Sequence, residues 1–401
     1  MPPHRRRAVN NVVLLGLVSF FADLSTEMVY PLIPLYLTSA FGATPAVVGL
    51  IEGIAESLAG LLKVFSGYLA DRYRRKKPLA FAGYAAGLVY KAGLLLAGSW
   101  AGVLAARVVD RVGKGVRTSP RDVLVSESAA PGKLGLSFGL HKALDMAGST
   151  LGILAAFLLM RSPTGDYDYR RLFLLSCIPA AASLVMFAFI RETGTRVAPG
   201  RPQRVTVGLR SLDYRLRLYL TVVFLFTLGN SSNAFLLLRA SDAGFETSSV
   251  ILLYLLYNGV SSLLALPLGK WSDRTGRKRM LVAGYVVFTV AYAGFAWAGS
   301  RLVVASAFVV YGVFTAMTAG VERAYISEIA PSELKGTMLG LHSTLVGVAL
   351  FPASLIAGFL WSRFGPEVTF SFGAALSLAA ALLLAFRLPT ASVGTSVPRG
   401  A

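Results

Sequence analysis

The residues of this chain that could do chemistry are ionisable side chains set inside long apolar runs. Asp23 and Glu27 are four residues apart, so a helix places them on one face, and Glu52 and Glu56 repeat the spacing. Arg107, Asp110 and Arg111 open the densest charge stretch, which runs on through Lys114, Arg117, Arg121 and Asp122. His141, Lys142 and Asp145 follow, with His141 and Asp145 again four apart. Later in the chain the polar groups are mostly neutral: Asn230, Ser231, Ser232, Asn233, Tyr254, Tyr257 and Asn258, accompanied by Glu322, Arg323 and His342. An ionisable group in hydrocarbon is costly, which makes each a functional candidate by default. A carboxyl that gains and loses a proton is the chemistry of proton coupling, and Asp23, Glu27 and Asp145 are the first candidates, with Glu52 and Glu56 behind them. The competing reading is a set of permanent ion pairs with Arg107, Arg111 and Lys142. His141 and His342, with Asp145, Asp23 and Glu27, offer nitrogen and oxygen donors suited to a divalent metal such as nickel, cobalt or iron. Helix packing or simple hydrogen bonding accounts for both histidines equally well, so no metal site is assigned.

The elements that must hold these groups are membrane helices. The chain has 401 residues, 55% of them hydrophobic and only 15% charged, and its mean hydropathy is +0.63. That composition excludes a soluble enzyme, a disordered chain and a secreted disulfide scaffold, and the single cysteine excludes an intramolecular disulfide and a multi-cysteine metal site. A bilayer core needs about 20 helical residues per crossing. Twelve such segments are expected, at 11–38, 45–70, 78–98, 99–118, 134–160, 171–190, 214–238, 247–269, 280–298, 302–324, 336–361 and 366–387. The net charge of +19 could suggest nucleic acid, but the basic residues cluster between apolar runs, so no nucleic-acid partner is expected. Loops on the side of the termini hold 28 Lys and Arg against six on the other side, which predicts a multi-pass protein of the cytoplasmic (inner) membrane with both termini in the cytoplasm. Gly135-Leu-Ser137-Phe-Gly139 fits a hydrolase elbow but lies in a membrane helix, and no Walker A or Rossmann pattern is present. Neither an enzyme nor a cofactor is expected.

The chain also repeats at half length. Gly67-x-x-x-Asp71-Arg72 matches Gly269-x-x-x-Asp273-Arg274 at an offset of 202, and Arg75-Lys76 matches Arg277-Lys278. Ser126-Glu127 and Gly139-Leu140-His141 recur as Ser327-Glu328 and Gly340-Leu341-His342, at 201. Two six-span bundles are expected, 1–190 and 214–401, joined by a polar cytoplasmic linker at 191–213. Such a repeat is a transporter architecture with its site between the halves near the midplane.

The two basic loops resemble the signature loop of the major facilitator superfamily, with Arg74 where that family usually has Gly and Gly276 kept in the second copy. Pro31-Leu-Ile-Pro34 resembles the family's paired prolines, and the resemblance covers essentially the whole chain. It implies an all-α fold in which spans 1, 2, 4, 5, 7, 8, 10 and 11 line a central cavity, leaving Lys91 of span 3 outside it. It implies substrate contacts from Asp110, Arg111, His141, Lys142, Asn230, Asn233, Tyr254, Tyr257, Asn258 and His342. It also implies gating by Gly67, Asp71, Arg72, Arg75, Gly269, Asp273, Arg274 and Arg277, and a role for Arg107 in proton transfer. Gly148-Ser149-x-x-Gly152 partly resembles the span-5 motif of family exporters. The function this implies is proton-coupled export of a small solute, a drug-like compound or a metal ion or chelate, by a monomer whose partners are substrate, protons and lipid. Proton-independent uptake and a non-transporting receptor or scaffold are the alternatives.

Overall fold

The computed structural model describes residues 3–73, 76–129, 134–161, 167–191, 212–330 and 335–388. They are helical throughout, with no strand among the described residues. Eleven helical segments are long and apolar enough to cross a membrane. The twelfth crossing is Trp100–Ser128, whose charged residues keep it out of any hydropathy count.

Numbered in chain order, span 1 runs from Pro3 to Phe41, span 2 is Pro45–Tyr73, span 3 Lys76–Leu96, span 4 Trp100–Ser128, span 5 Leu134–Leu159 and span 6 Tyr169–Ala188. Span 7 runs from Tyr214 to Asp242, span 8 is Thr247–Thr275, span 9 Arg277–Ala296, span 10 runs from Arg301 to Ile329, span 11 is Lys335–Phe364 and span 12 Pro366–Arg387. The region expected to link the halves lies, at 192–211, outside the described residues.

Two helices break at matching places. Span 1 changes from α-helix to a 3-10 turn at Tyr30–Leu32, where Pro31 and Pro34 cannot donate backbone hydrogen bonds. Span 7 was expected as one continuous segment, but its helix stops at Gly229 and restarts at Ala234. The intervening Asn230-Ser-Ser-Asn233 carries four side chains that compete for backbone hydrogen bonds. Irregular backbone is tolerated at membrane depth only where it is enclosed by protein or lines a polar cavity.

Span 4 corrects a second expectation. Residues 114–128 were expected in a solvated loop, but the helix continues through Pro120 to Ser128. Arg107, Asp110, Arg111, Lys114, Arg117 and Arg121 recur at three- and four-residue steps, so the helical period is written in charge rather than in apolar residues. Arg107, Asp110, Arg111 and Arg117 are all buried. Span 10 likewise continues past a break at Ala319-Gly320 as the helix Val321–Ile329, where a loop was expected from 323.

Packing follows the repeat. Span 1 packs on spans 5 and 6, span 2 on 4, and span 3 on 4 and 6. Span 7 packs on spans 11 and 12, span 8 on 10, and span 9 on 10 and 12 in the same pattern. The two bundles meet through span 2 on span 11 and span 5 on span 8. The first seam is tight because it is built on glycine: a Cβ on Gly49 would lie 2.3 Å from the Ser354 carbonyl, and one on Gly60 2.9 Å from Gly347. The halves close on each other at the face opposite the termini. There the Ala46 amide donates to Ser362 Oγ at 2.9 Å, and Ile33–Phe41 packs on Ala234–Asp242. Towards the terminal face, a Cβ on Gly139, Gly269 or Gly340 would meet nothing within 4 Å.

Candidate functional site

The acidic pairs separate into two groups. Glu52 and Glu56 are ion-paired to span 4. Glu52 pairs with Arg107, both side chains 1% exposed, and Glu56 pairs with Arg111 at 2.9 Å. Both guanidinium groups lie over the Tyr30 ring, at 5.3 and 5.7 Å from its centroid. Asp110 Oδ2 is 3.8 Å from Arg111 Nε and has no hydrogen-bond partner. Glu52 also reaches the other bundle, where Ser232 Oγ donates to its Oε2 at 3.0 Å. The broken turn of span 7 supplies that hydroxyl.

Asp23 and Asp145 form the second group. Their carboxyl groups are in hydrogen-bond contact across spans 1 and 5, and Lys142 Nζ donates to Asp145 Oδ2 at 2.7 Å. Two carboxyl groups attract each other only while one carries a proton, so the pair is built to hold one proton between two helices. Glycine sets this contact. A Cβ on Gly148 would lie 2.2 Å from the Phe20 carbonyl, and one on Gly152 2.5 Å from that of Leu24. The close approach one turn beyond Asp145 seats span 5 against span 1 at the level of Asp23.

Glu27 has no ion-pair partner among the described residues, and Tyr254 Oη donates to its Oε2 at 3.4 Å from the other bundle. Tyr30, Tyr254, Tyr257 and Tyr311 form a continuous run of rings, with centroids 5.3 to 5.9 Å apart. Asn233 ties this run to the break in span 7: its Nδ2 donates to Tyr257 Oη at 3.2 Å and its Oδ1 accepts from Tyr311 Oη at 2.9 Å. Asn230 Oδ1 is 3.5 Å from the same Tyr311 hydroxyl, while Asn258 turns back onto its own helix at the Tyr254 carbonyl.

The histidines do not share a site. His141 Nε2 is 2.9 Å from Ser19 Oγ, which also contacts Tyr84 Oη at 3.3 Å. His342 belongs to a separate cluster with Glu322 and Tyr219. Among the described residues no three His, Cys, Asp or Glu side chains are grouped to hold a metal ion. The donors expected for one, His141 and Asp145 included, are already taken by a serine hydroxyl and a lysine. Lys91, expected outside the cavity, is buried inside the first bundle, with Nζ 3.4 Å from Thr26 Oγ1.

The basic loops carry matching contacts. Lys76 pairs with Glu127, and Arg277 NH1 with Glu328 at 3.1 Å, Arg277 NH2 also reaching Asp273 at 3.3 Å. Lys77 Nζ caps span 6 at the Ala188 and Ile190 carbonyls, and Lys278 Nζ caps span 12 at Ala385 and Leu388. These contacts equate Lys76 with Arg277, one residue from the register read in the sequence, so the first loop is one residue longer. Gly276 turns the second loop at φ +94°. Gly67, Asp71 and Arg72 lie on the helix Pro45–Tyr73, but their side chains, and Arg75 entirely, lie outside the described residues.

Sequence reasoning missed Tyr30, Tyr311 and Ser232 as site residues. Single tyrosines and serines in apolar runs carry no spacing signal, and only the fold shows which face one another.

The comparisons with known proteins agree with this architecture. The chain is 36% identical over 389 residues to an uncharacterized MFS-type transporter of Methanocaldococcus jannaschii, covering 95% of this chain and 96% of that one. It is 26% identical over 297 residues to the multidrug resistance protein MdtH of Klebsiella pneumoniae, covering 70% and 67%. Among solved structures, the nucleoside transporter NupG superposes with a TM-score of 0.77 at 11% identity, over 94% of this chain and 98% of that one. A D-xylose–proton symporter superposes at 0.75 and 17%, over 95% and 98%. The family model described as Major Facilitator Superfamily matches residues 15–260 and 218–401. With twelve spans in two repeated bundles and that match over nearly its whole length, the chain belongs to the major facilitator superfamily of membrane transporters.

Proposed function

We propose that the protein is a proton-coupled exporter of a small organic solute, working by alternating access in the cytoplasmic membrane with both termini in the cytoplasm. The observation that carries the reading is the Asp23–Asp145 carboxyl contact, a one-proton site between two helices of the first bundle. Lys142 beside it supplies the counter-charge when the proton leaves. Glu27 and the tyrosine run, which cross from one bundle to the other, are the solute contacts in this reading. The contact of the halves at the face opposite the termini then corresponds to a site that opens to the cytoplasm. Export is favoured because MdtH is a multidrug resistance protein by name. Proton coupling is consistent with the symporter that shares the fold. An organic solute is favoured over a metal ion because the described side chains form no ligand cluster.

The test begins with a thermal-stability screen of the purified protein against lipophilic cations, sugars, organic anions and divalent metals. A ligand at a hundredfold excess over its Kd stabilises the folded state by about 2.7 kcal/mol. The ligand found is then followed in proteoliposomes with a pH-sensitive dye. Asp23→Asn and Asp145→Asn should bind it and fold normally but move no protons with it. Undiminished proton movement in both variants refutes the assignment.

A further inference from the structure

The second bundle was expected to carry neutral polar groups, but it holds a buried carboxyl–imidazole pair that the proposed transport cycle does not use. Glu322 opens the short helix Val321–Ile329, and His342 stands near the start of span 11. Glu322 Oε1 accepts from Tyr285 Oη at 3.2 Å. Glu322 Oε2 lies 3.9 Å from His342 Nε2, and the His342 side chain is 8% exposed. His342 Nε2 is buried with no hydrogen-bond partner. An orphaned ring nitrogen costs free energy, and here it is aimed at a carboxylate.

The repeat shows what is special about this place. Gly83-Tyr84, Arg121 and His141 of the first half stand 201 residues before Gly284-Tyr285, Glu322 and His342. The tyrosine and the histidine are present in both bundles. In the first, the repeat position of Glu322 is Arg121, which pairs with its neighbour Asp122 at 2.8 Å. His141 there finds a hydroxyl, Ser19 Oγ. In the second, the ring meets an acid and no hydroxyl. Tyr219 of span 7 fills the remaining space, its ring stacked on His342 and its hydroxyl donating to the Glu322 carbonyl at 3.3 Å.

We infer that Glu322 and His342 form a second proton-binding site, in the second bundle and separate from Asp23–Asp145. A proton placed between Oε2 and Nε2 converts a 3.9 Å gap into a charge-assisted hydrogen bond. That bond ties the end of span 10 to span 11, the helix whose Gly347 meets Gly60 of span 2. Proton occupancy therefore bears on the tight seam between the halves. The ionisable groups facing the pair are Tyr219 of span 7, Tyr285 of span 9 and Arg323 of span 10. Tyr325, also of span 10, packs edge-on against Tyr219. The end of the preceding helix segment, Gly312 to Thr318, carries no ionisable side chain.

The chain has only three histidines, so the site can be read directly. The full-length protein is labelled with carbon-13 and nitrogen-15 histidine and titrated by NMR in lipid nanodiscs. The His342 signal is the one absent from His342→Gln. In Glu322→Gln its pH midpoint should fall by a unit or more, a tenfold or greater loss of proton affinity. In Tyr285→Phe, which keeps the carboxyl and removes one hydroxyl, it should move by less. Asp23→Asn should leave it in place. An unchanged midpoint in Glu322→Gln overturns the proposal. If that variant does not fold, Tyr285→Phe decides alone, and an unmoved midpoint there overturns it.

Discussion

Removing the Glu52 carboxylate should cost more than removing the Arg107 guanidinium, although the two make one ion pair. Both side chains are 1% exposed, so the pair is shielded from water. Glu52→Leu leaves Arg107 with nothing to balance it, 5.3 Å from the Tyr30 centroid and beside Arg111, which lies 5.7 Å from the same centroid. A guanidinium cannot shed its proton. Stranding a buried charge of this kind costs about 3–5 kcal/mol. Unfolding entropy of about 2.1 cal/mol/K per residue over 401 residues converts that to a Tm lowered by about 4–6 °C. Arg107→Met leaves Glu52 with the Ser232 hydroxyl at 3.0 Å, and the carboxyl can take up a proton. Its cost should be roughly half as large. The double variant, with two apolar side chains of similar volume, should recover to within about 2 °C of the parent, because replacing both members of a buried pair is close to neutral. The assay is thermal unfolding in detergent followed by tryptophan fluorescence. Equal losses in the two single variants, or a double variant as unstable as the sum of both, would refute the reasoning.

Two glycine contrasts follow from the packing. Gly148→Ala should lower Tm by several degrees and abolish proton movement, since its Cβ meets a backbone carbonyl at 2.2 Å, whereas Gly139→Ala on the same helix should leave Tm unchanged. Gly276→Ala should lower Tm by about 1–3 °C, as a non-glycine residue at φ +94° is strained by about 1–3 kcal/mol. Gly269→Ala, helical and facing open space, should be neutral or slightly stabilising in the same melt.

The sequence by itself determined the membrane class, the number of crossings and the two-fold repeat. These are properties of one-dimensional patterns: apolar runs of bilayer length, basic loops between them and motifs that recur at a fixed offset. Even span 4 was legible as a helix, because its charges step by three and four, although hydropathy alone hides it. The breaks were less so. Pro31 announced the turn in span 1, but Asn230 to Asn233 looked like polar decoration on a continuous helix until the fold showed their side chains turned towards Glu52, Tyr257 and Tyr311.

Tertiary structure alone decided which acids are paired and which share a proton. Asp23, Glu27, Glu52 and Glu56 look alike in the sequence, two i, i+4 pairs on neighbouring helices. Packing gives the second pair to arginines of span 4, gives Asp23 to Asp145, and leaves Glu27 with a tyrosine. The same holds for His141 and His342, equivalent by repeat yet facing a serine in one bundle and a glutamate in the other. Spacing along a helix tells which residues share a face. What that face meets depends on how closely glycines let the next helix approach, which is a property of the assembled bundle.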